Sequence, residues 1–412
     1  MGVAGLLPHL KTIQKHVTLK KYAGMTLGID AYSWLHKAAC SCAYELAMDK
    51  PTEKYLQYFI RKFNLMKKLN IKPYLIFDGD AILVKGEVES SRLNKRKTNK
   101  LMGEKLWRIG ERKAATEFFQ KSVNITTQMA KHIINYCREN SIQYVVAPFE
   151  ADSQMVYLEK TVQVQGIISE DSDLIVFGSK RLITKLNEFG ECIEIASCDF
   201  GDLTGKFPFG ELSMDQIRML VCLSGCDYTV GIWKIGLVTA IKLVRQFDNM
   251  DDIVNHIKES GKYSLNCNFL QEYKYANYSF QYQRVFDPKE NRIVTLNRIP
   301  TELKNDRKEL GIVGQCIGNV ISKKSGIKSI VVNDDDIDHN IHTMIANGDL
   351  DPHNWKETLI SREEYLHSER SITLNNLTNP LSPISNFLPT NPILHPGLAY
   401  LDSSIHHTEC VA

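Results

Sequence analysis

Seven carboxylates stand where predicted strands end or where the following helices begin, and these residues are the best placed in the chain to do chemistry. Most follow short apolar runs, as in LGID, LIFDGD, VVAPFEAD and GIISEDSD, and the last follows MLVCLSGCDY. In an open parallel sheet, the carboxyl ends of the strands converge on one crevice. We therefore expect one strongly negative pocket. Its members are Asp30, Asp78, Glu150, Asp152, Asp171, Asp173 and Asp227.

Such a pocket needs cations, because like charges at close range raise each other's pKa and destabilise the fold. Hard divalent cations take oxygen ligands, so the set predicts Mg²⁺, with Mn²⁺ as the alternative. Glu150 and Asp152 are two residues apart, as are Asp171 and Asp173, so both members of each pair can reach one cluster of cations. Two cations about 4 Å apart can hold the attacking and leaving oxygens of a phosphodiester.

Each acid, taken singly, also has a structural explanation. An Asp before a helix is often an N-cap, and Asp-Gly after a strand is often only a turn. This explanation is sufficient for any one position. It does not explain why acids recur at successive strand ends.

Composition excludes several classes of protein. The chain has 412 residues, of which 43% are hydrophobic and 24% charged, with a formal net charge of +2. This is typical of a globular protein, and any basic surface must be local. The ten cysteines form no CxxC pair and no secretory signal is present, which predicts reduced, mostly buried thiols inside the cell. No run is long and apolar enough to span a membrane.

Short apolar segments alternate with helical stretches, which predicts an α/β domain with a mainly parallel sheet. A second unit, about 212–250, has a helix–turn–helix pattern, and 251–365 has a less regular helical pattern. The end of the chain is rich in Ser, Asn and Pro and is predicted to be disordered. The predicted strands are 26–31, 73–77, 143–147, 166–168 and 181–186, and helices between them include 52–69 and 125–139.

A basic segment follows the second acid. Residues 85–121 carry eleven Lys or Arg and five Glu, a local balance of +6. Lys85 and Arg92 are almost two helical turns apart and share a face, which Arg96 continues. The alternative without a catalytic role is a solvated helix or a nuclear-localisation-like run. The favoured hypothesis is that the segment covers the pocket, stabilises charge on a phosphate and attracts a DNA backbone.

Two further features lie next to predicted acids. After Asp227, TVGIWKIG forms a turn before a helix, where glycines and amides can approach a phosphate. Tyr32 and His36 lie four apart on the helix that begins at Asp30. They could stack on a base or open a bent duplex, and on spacing alone they could equally be core residues.

These motifs resemble a known family. MGVAGLLPHL, IDAYSWLHKAA, LIFDGD, EVESSRLNKRK, SVNITTQMA, VAPFEADSQ, SEDSDLIVFG and LSGCDY are similar to the structure-specific 5′ nucleases of the XPG/flap endonuclease superfamily, from residue 1 to about 350. The resemblance implies two divalent metals, usually Mg²⁺, and hydrolysis of DNA in the 5′→3′ direction with cutting of 5′ flaps. It places the metal ligands on the seven acids and the catalytic roles on Lys85, Arg92, Asp78 and Asp173.

The resemblance also implies DNA contacts. Tyr32 and His36 would be the wedge, and the helix–two-turn–helix unit, about 220–245, would hold the duplex with a bound K⁺ ion. The family's hairpin usually ends in Gly-Ile-Gly where this chain has Lys234-Ile235-Gly236, and a common Ser is Gly231 here. The DNA-binding residues it implies are Gly2, Tyr32, His36, Arg96, Ser224, Gly231, Lys234, Ile235 and Gly236.

The expected fold is α/β, with a mainly parallel central sheet flanked by helices, of the 5′ nuclease or PIN-like type, with a helical arch and a helix–two-turn–helix unit. The expected regions are an N-terminal nuclease region (1–99), a basic arch (85–125), an internal nuclease region (126–211), the helix–two-turn–helix unit (212–250), C-terminal helices (251–365) and a disordered tail (366–412).

The expected function is a Mg²⁺-dependent 5′→3′ double-strand DNA exonuclease with 5′-flap endonuclease activity, acting in mismatch repair, end resection or recombination. Its partner would be duplex DNA with 5′ ends, nicks or flaps, and it would be a nuclear monomer. The short tail weakens the expectation of contacts with mismatch-repair proteins. The alternatives are a catalytically silent DNA-structure binder, a nuclease for Holliday junctions or bubbles, and, third, a ribonuclease.

Overall fold

A seven-stranded mixed sheet lies at the centre of this computed structural model, which describes residues 2–367 except the side chains of residues 87 and 88. The strands are β1 Lys15–Thr18, β2 Thr26–Asp30, β3 Lys72–Phe77, β4 Gln143–Val146, β5 Ile167–Ile168, β6 Arg181–Thr184 and β7 Glu191–Ala196. Their order across the sheet is β1-β7-β6-β5-β2-β3-β4. From β6 to β4 every pairing is parallel, and β7 pairs antiparallel with both of its neighbours.

The five predicted strands are confirmed to within two residues, and β1 and β7 were not predicted. The missed strands lack a continuous apolar run. Most of β1 is exposed, and β7 carries Glu191 and Glu194 among its apolar residues. Glu194 is nevertheless buried, because Tyr22 Oη and Lys21 Nζ donate to its two oxygens, at 2.5 and 2.6 Å.

Both faces of the sheet are covered, so the parallel strands are apolar on both sides. Successive residues point to opposite faces of a strand. Leu75 therefore belongs to one hydrophobic cluster and Ile76 to the other, and Ile167 and Ile168 divide in the same way. The two clusters fix the sheet between two helical layers, which positions the strand ends.

Helices make up most of the remaining described structure. They are α1 Leu6–His9, α2 Ala31–Ala39, α3 Ala43–Ala47, α4 Lys54–Lys68, α5 Gly86–Arg108, α6 Arg112–Ser122, α7 Thr127–Glu139, α8 Ala151–Lys160, α9 Asp173–Phe177, α10 Met214–Ser224, α11 Leu237–Gln246, α12 Met250–Ser260, α13 Phe269–Tyr282, α14 Thr301–Asn305, α15 Arg307–Ile317 and α16 His339–Ala346. No helix within residues 2–367 is long and apolar enough to cross a membrane.

The basic segment after β3 is a pair of packed helices. A tight turn at Gly110 (φ 90°) separates α5 from α6, and the Arg112 guanidinium lies 3.7 Å from the centre of the Trp107 ring. Trp107 also stacks on Tyr44 of α3, with ring centres 4.0 Å apart. These contacts attach the far end of the pair to the body of the protein.

Residues 251–365, for which a less regular helical pattern was predicted, contain strands as well as helices. Two hairpins lie among the helices: β8 Arg284–Asp287 with β9 Arg292–Thr295, and β10 Val320–Ile321 with β11 Lys328–Ser329. Residues 1–365 form one compact unit. The predicted tail, 366–412, lies outside the described residues except for its first two positions.

Candidate active site

The predicted acids do follow the carboxyl ends of the parallel strands. Asp30 is the last residue of β2, and Asp78 directly follows β3. After β4, Glu150 immediately precedes α8, whose first turn contains Asp152. After β5, Asp171 precedes Asp173, which opens α9, and Asp227 lies in the loop after α10.

Burial and mutual repulsion show that these acids share one environment. Burial, with the nearby charge of Asp171, raises the pKa of Asp30 to about 6. Burial, followed by the charges of Asp30 and Glu150, raises the pKa of Asp78 to about 7. For Asp152, burial and the charges of Asp171, Asp30 and Glu150 raise the pKa well above its ordinary value. Because the charge of each of these acids raises the pKa of others in the set, the acids lie close together in one pocket.

The structural explanation for single acids is also correct at several positions. Asp30 caps α2, because its Oδ1 accepts the N–H of Ser33 at 2.8 Å, and its Oδ2 accepts from Ser169 Oγ at 2.7 Å. Asp78 Oδ1 accepts the N–H of Ala151 at 2.8 Å and thereby joins β3 to the start of α8. The same side chains therefore fix the strand ends and form the pocket.

Gly2 closes one side of the pocket. It has φ 79°, and a Cβ at this position would stand 2.2 Å from Asp171 Oδ1 and 2.6 Å from Asp173 Oδ1. Asp171 Oδ1 also accepts the N–H of Asp173 at 3.0 Å. Burial and the charge of Asp171 raise the pKa of Asp173 well above its ordinary value. Only glycine fits this approach without moving the two acids.

Lys85 and Arg92 lie at the start of α5, the first helix of the arch, and their side chains contact the acids of the pocket. Lys85 Nζ lies 2.5 Å from Glu150 Oε1 and 3.7 Å from Asp227 Oδ2. Arg92 Nη2 donates to both oxygens of Asp227, at 2.9 and 3.1 Å. Burial opposes the charge of Lys85, but the four surrounding carboxylates outweigh it and raise its pKa. The predicted shared face of Lys85 and Arg92 is therefore present, and it faces the pocket.

Tyr32 and His36 are both partly buried on α2, beside the same region. Burial lowers the pKa of His36, and the nearby Arg96 and Arg92 lower it further. Arg96 itself donates to Asn124 Oδ1 at 2.9 Å. The structure therefore places His36 next to the arch, whereas Tyr32 lies close enough to Asp78 for that charge to raise its pKa, after the larger effect of burial. Their roles as a wedge and a DNA contact remain predictions.

The hairpin between α10 and α11 has the tight turns that its glycines predict. At Gly231 φ is 74°, and a Cβ there would stand 2.5 Å from the backbone nitrogen of Gly225, so a side chain at this position would collide with the backbone. Lys234 also has a positive φ, 67°, and Ile235 is buried. Ser224 Oγ donates to Val221 O at 3.2 Å, and a Cβ on Gly236 would meet no atom of residues 2–367 within 4 Å. The DNA-binding roles of these residues stay predictions.

Two side chains that the sequence did not single out hold Glu150. Tyr228 Oη donates to Glu150 Oε2. Gln283 Nε2 donates to the same oxygen at 2.6 Å and to Tyr228 Oη at 2.7 Å. Lys85 Nζ also lies 4.6 Å from the centre of the Tyr228 ring. Tyr228 directly follows Asp227 and could have been suspected for that reason, whereas Gln283 has no local signal.

The donor set fits hard divalent cations, because every candidate ligand is a carboxylate oxygen. One of these oxygens, Asp173 Oδ1, is buried and has no hydrogen-bond partner among residues 2–367. Within residues 2–367, no three His, Cys, Asp or Glu side chains stand in the arrangement of a formed metal site. Instead, Lys85 and Arg92 pair with Glu150 and Asp227.

Comparison with known proteins identifies the family. The XPG N-terminal domain matches residues 1–99 and the XPG I-region matches residues 141–227. The DNA damage-inducible protein DIN7 of Saccharomyces cerevisiae is 54% identical over 90% of this chain and 86% of its own length. Exodeoxyribonuclease 1 of the same yeast is 53% identical over 94% of this chain. The chain belongs to the exonuclease 1 family of the XPG/flap endonuclease superfamily.

The family assignment agrees with the fold. The catalytic core of Rad2, in a structure with DNA substrate, matches 67% of this chain and 85% of its own length with a TM-score of 0.50 and 19% identity. This likeness shows the shared fold. The chain spans 56% of the length of yeast exodeoxyribonuclease 1, so the match leaves a large part of that relative without a counterpart.

Proposed function

We propose that this chain is a divalent-cation-dependent 5′→3′ double-strand DNA exonuclease with 5′-flap endonuclease activity. The observation that carries the proposal is the pocket of acids at four strand ends and in the loop after α10, with Lys85 and Arg92 reaching into it. A protein that only bound a polyanion would gain nothing from seven carboxylates facing it. The relatives' names, an exodeoxyribonuclease and a DNA damage-inducible protein, support DNA as the substrate.

The seven acids would hold two Mg²⁺ ions, with Mn²⁺ as a substitute. When bound, such cations lower the pKa of water to supply a nucleophile and neutralise charge on the phosphate. The chain's own contribution is to position oxygen ligands at four strand ends. A K⁺ ion at the hairpin between α10 and α11 is proposed on the family resemblance.

Lys85 and Arg92 would act on the scissile phosphate. In the structure they pair with Glu150 and Asp227, carboxylates that cations would neutralise. With those charges neutralised, both side chains would be available to donate to phosphate oxygens. A guanidinium can donate to two oxygens at once, which also orients the phosphate. Positive charge is most effective where negative charge develops in the transition state.

The remaining residues would recognise the DNA. Tyr32 and His36, on α2, would separate the base pairs next to the cut, and Arg96 would contact the backbone. The hairpin from Ser224 to Gly236, with Gly231, Lys234 and Ile235, would hold the duplex at a distance from the cut. We propose that the chain acts as a monomer on 5′ ends, nicks and flaps in the nucleus, in mismatch repair, end resection or recombination. Contacts with mismatch-repair proteins are proposed only from the family.

A panel of substrates tests the proposal against its alternatives. The purified chain is incubated with Mg²⁺ and a 5′-recessed duplex, a 5′ flap, a four-way junction, or single-stranded RNA. We expect degradation of the recessed duplex and cutting of the flap. Preferred cutting of the junction would favour a junction nuclease, and binding to all DNA substrates without cleavage would favour a scaffold.

A further inference from the structure

One fully buried side chain reaches the acid pocket from the C-terminal part of the chain. Gln283 lies between α13 and β8 and has no exposed surface. It stands outside residues 1–99 and 141–227, which the XPG N-terminal domain and the XPG I-region match. The pocket therefore includes a residue supplied from outside the two family regions.

The hydrogen bonds of Gln283 determine what its amide can do. Nε2 donates to Glu150 Oε2 at 2.6 Å and to Tyr228 Oη at 2.7 Å. Its Oε1 is buried with no hydrogen-bond partner within the described residues. The reversed amide would place Oε1 against a carboxylate oxygen, so the donor orientation is the one that the contacts require. Both hydrogens of the amide are thereby used around Glu150.

We propose that Gln283 is a positioning residue for Glu150: it fixes one carboxylate oxygen, leaves the other turned toward Lys85, and so sets the affinity of the pocket for divalent cations. This inference rests on the proposed function, since it assigns Glu150 to cation binding. Glu150 Oε2 receives Tyr228 and Gln283, and Oε1 meets Lys85, so both oxygens are fixed.

A second glutamine, Gln154, belongs to the same interface between α8 and β8. Gln154 of α8 donates from Nε2 to Phe286 O and accepts the N–H of Phe286 at Oε1, both at 2.7 Å. This pair of bonds joins α8, which begins directly after Glu150, to β8, which begins directly after Gln283. Gln154 is fully buried, as is Gln283, but both of these hydrogen bonds go to the backbone of Phe286 and not to an acid. It is therefore a matched control from the same interface.

The test compares Gln283→Met with Gln154→Met in the full chain. Mg²⁺ binding is measured by calorimetry without DNA, and the Mg²⁺ concentration for half-maximal cleavage is measured with DNA. Residues that orient metal ligands typically contribute 10- to 100-fold to metal affinity or activity. For Gln283→Met we expect weakening of Mg²⁺ binding by about 10-fold or more, with a parallel rise in half-maximal Mg²⁺. For Gln154→Met we expect lower thermal stability and unchanged Mg²⁺ affinity.

Equal losses of stability in the two variants, with Mg²⁺ affinity unchanged in both, would overturn the inference. If Gln283→Met does not fold, Gln283→Asn replaces it, because the shorter amide stays polar but does not reach Glu150. Failure of the proposed function is a separate result: wild-type chain that binds Mg²⁺ but cuts no DNA. In that case the calorimetric comparison still decides the role of Gln283.

Discussion

Replacing Asp78 by Asn should stabilise the cation-free protein, although Asp78 is a predicted ligand. Burial and the neighbouring acids raise the pKa of Asp78 from 3.8 to about 7. Ionised Asp78 therefore destabilises the folded state. This penalty begins as the pH rises above 3.8, the pKa in the unfolded chain, and is complete above about 7, the pKa in the folded state. At about 1.36 kcal/mol per pH unit, the ceiling is about 4 kcal/mol at pH 8. The N–H of Ala151 bonds less strongly to an amide, so we expect a gain of about 2 kcal/mol.

The assay is urea unfolding in EDTA at pH 8 and pH 5, comparing wild type with Asp78→Asn. The gain should shrink to below about 1 kcal/mol at pH 5, since there Asp78 is already neutral in the folded state. Comparing variant with wild type at each pH removes the contributions of all other titrating groups.

Asp80 is the matched control, because it lies two residues further along the same strand end. Its pairs with Lys328, at 2.6 Å, and His353, at 3.0 Å, outweigh burial and lower its pKa. Asp80→Asn should therefore destabilise the protein at pH 8, by about 1–3 kcal/mol. If Asp78→Asn destabilises the protein as Asp80→Asn does, the reasoning that the acid pocket is a repulsive cluster is refuted.

Three further predictions concern other residues. Gly2→Ala should reduce Mg²⁺-dependent cleavage by about 10-fold or more, because its Cβ would collide with two acids. Gly24→Ala is the control: Gly24 has a similar φ of 84°, but a Cβ there would meet no atom of the described residues within 4 Å, so cleavage should be unchanged. Equal losses in both variants would point to backbone strain. Lys85→Met should lower kcat by about 10²–10³ in single-turnover cleavage with little change in duplex binding, and a normal kcat would exclude its proposed role. Burial lowers the pKa of His342 from 6.5 to about 3, and its Nε2 accepts the N–H of Ile321 at 3.1 Å. Wild type should therefore lose about 1.4 kcal/mol of unfolding free energy per pH unit below pH 6.5, and His342→Gln should lack this contribution. Urea unfolding at several pH values measures the slope for both proteins, and identical slopes would contradict the prediction.

The sequence was informative where chemistry and structure coincide in a few consecutive residues. An apolar run followed by an acid predicts both a parallel strand and the edge at which it ends, and Asp30 and Asp78 lie at such ends. The alternation of strands and helices likewise predicted the order of most elements. The polar edge strand β1 could not be predicted in this way, because its pairing with β7 depends on a partner far along the chain.

Long-range contacts determine most of the features that the sequence did not predict. Gln283 is 133 residues from Glu150, and no periodicity connects them. Arg284, the next residue, is fully buried because it pairs with Asp334 and donates to Val331 O at 2.7 Å. An arginine at the start of a strand gives no sign of such burial. The hairpins within 251–365 were missed for the same reason.

Cleavage of 5′-recessed and 5′-flap DNA by the purified chain, in Mg²⁺ or in EDTA and beside Asp173→Ala, tests the central claim most directly. We predict 5′→3′ degradation and flap cutting that require Mg²⁺ and are abolished in Asp173→Ala, while DNA binding by the variant is largely retained. Full cleavage by Asp173→Ala, or cleavage that persists in EDTA, would contradict the claim that the acid pocket performs cation-dependent hydrolysis.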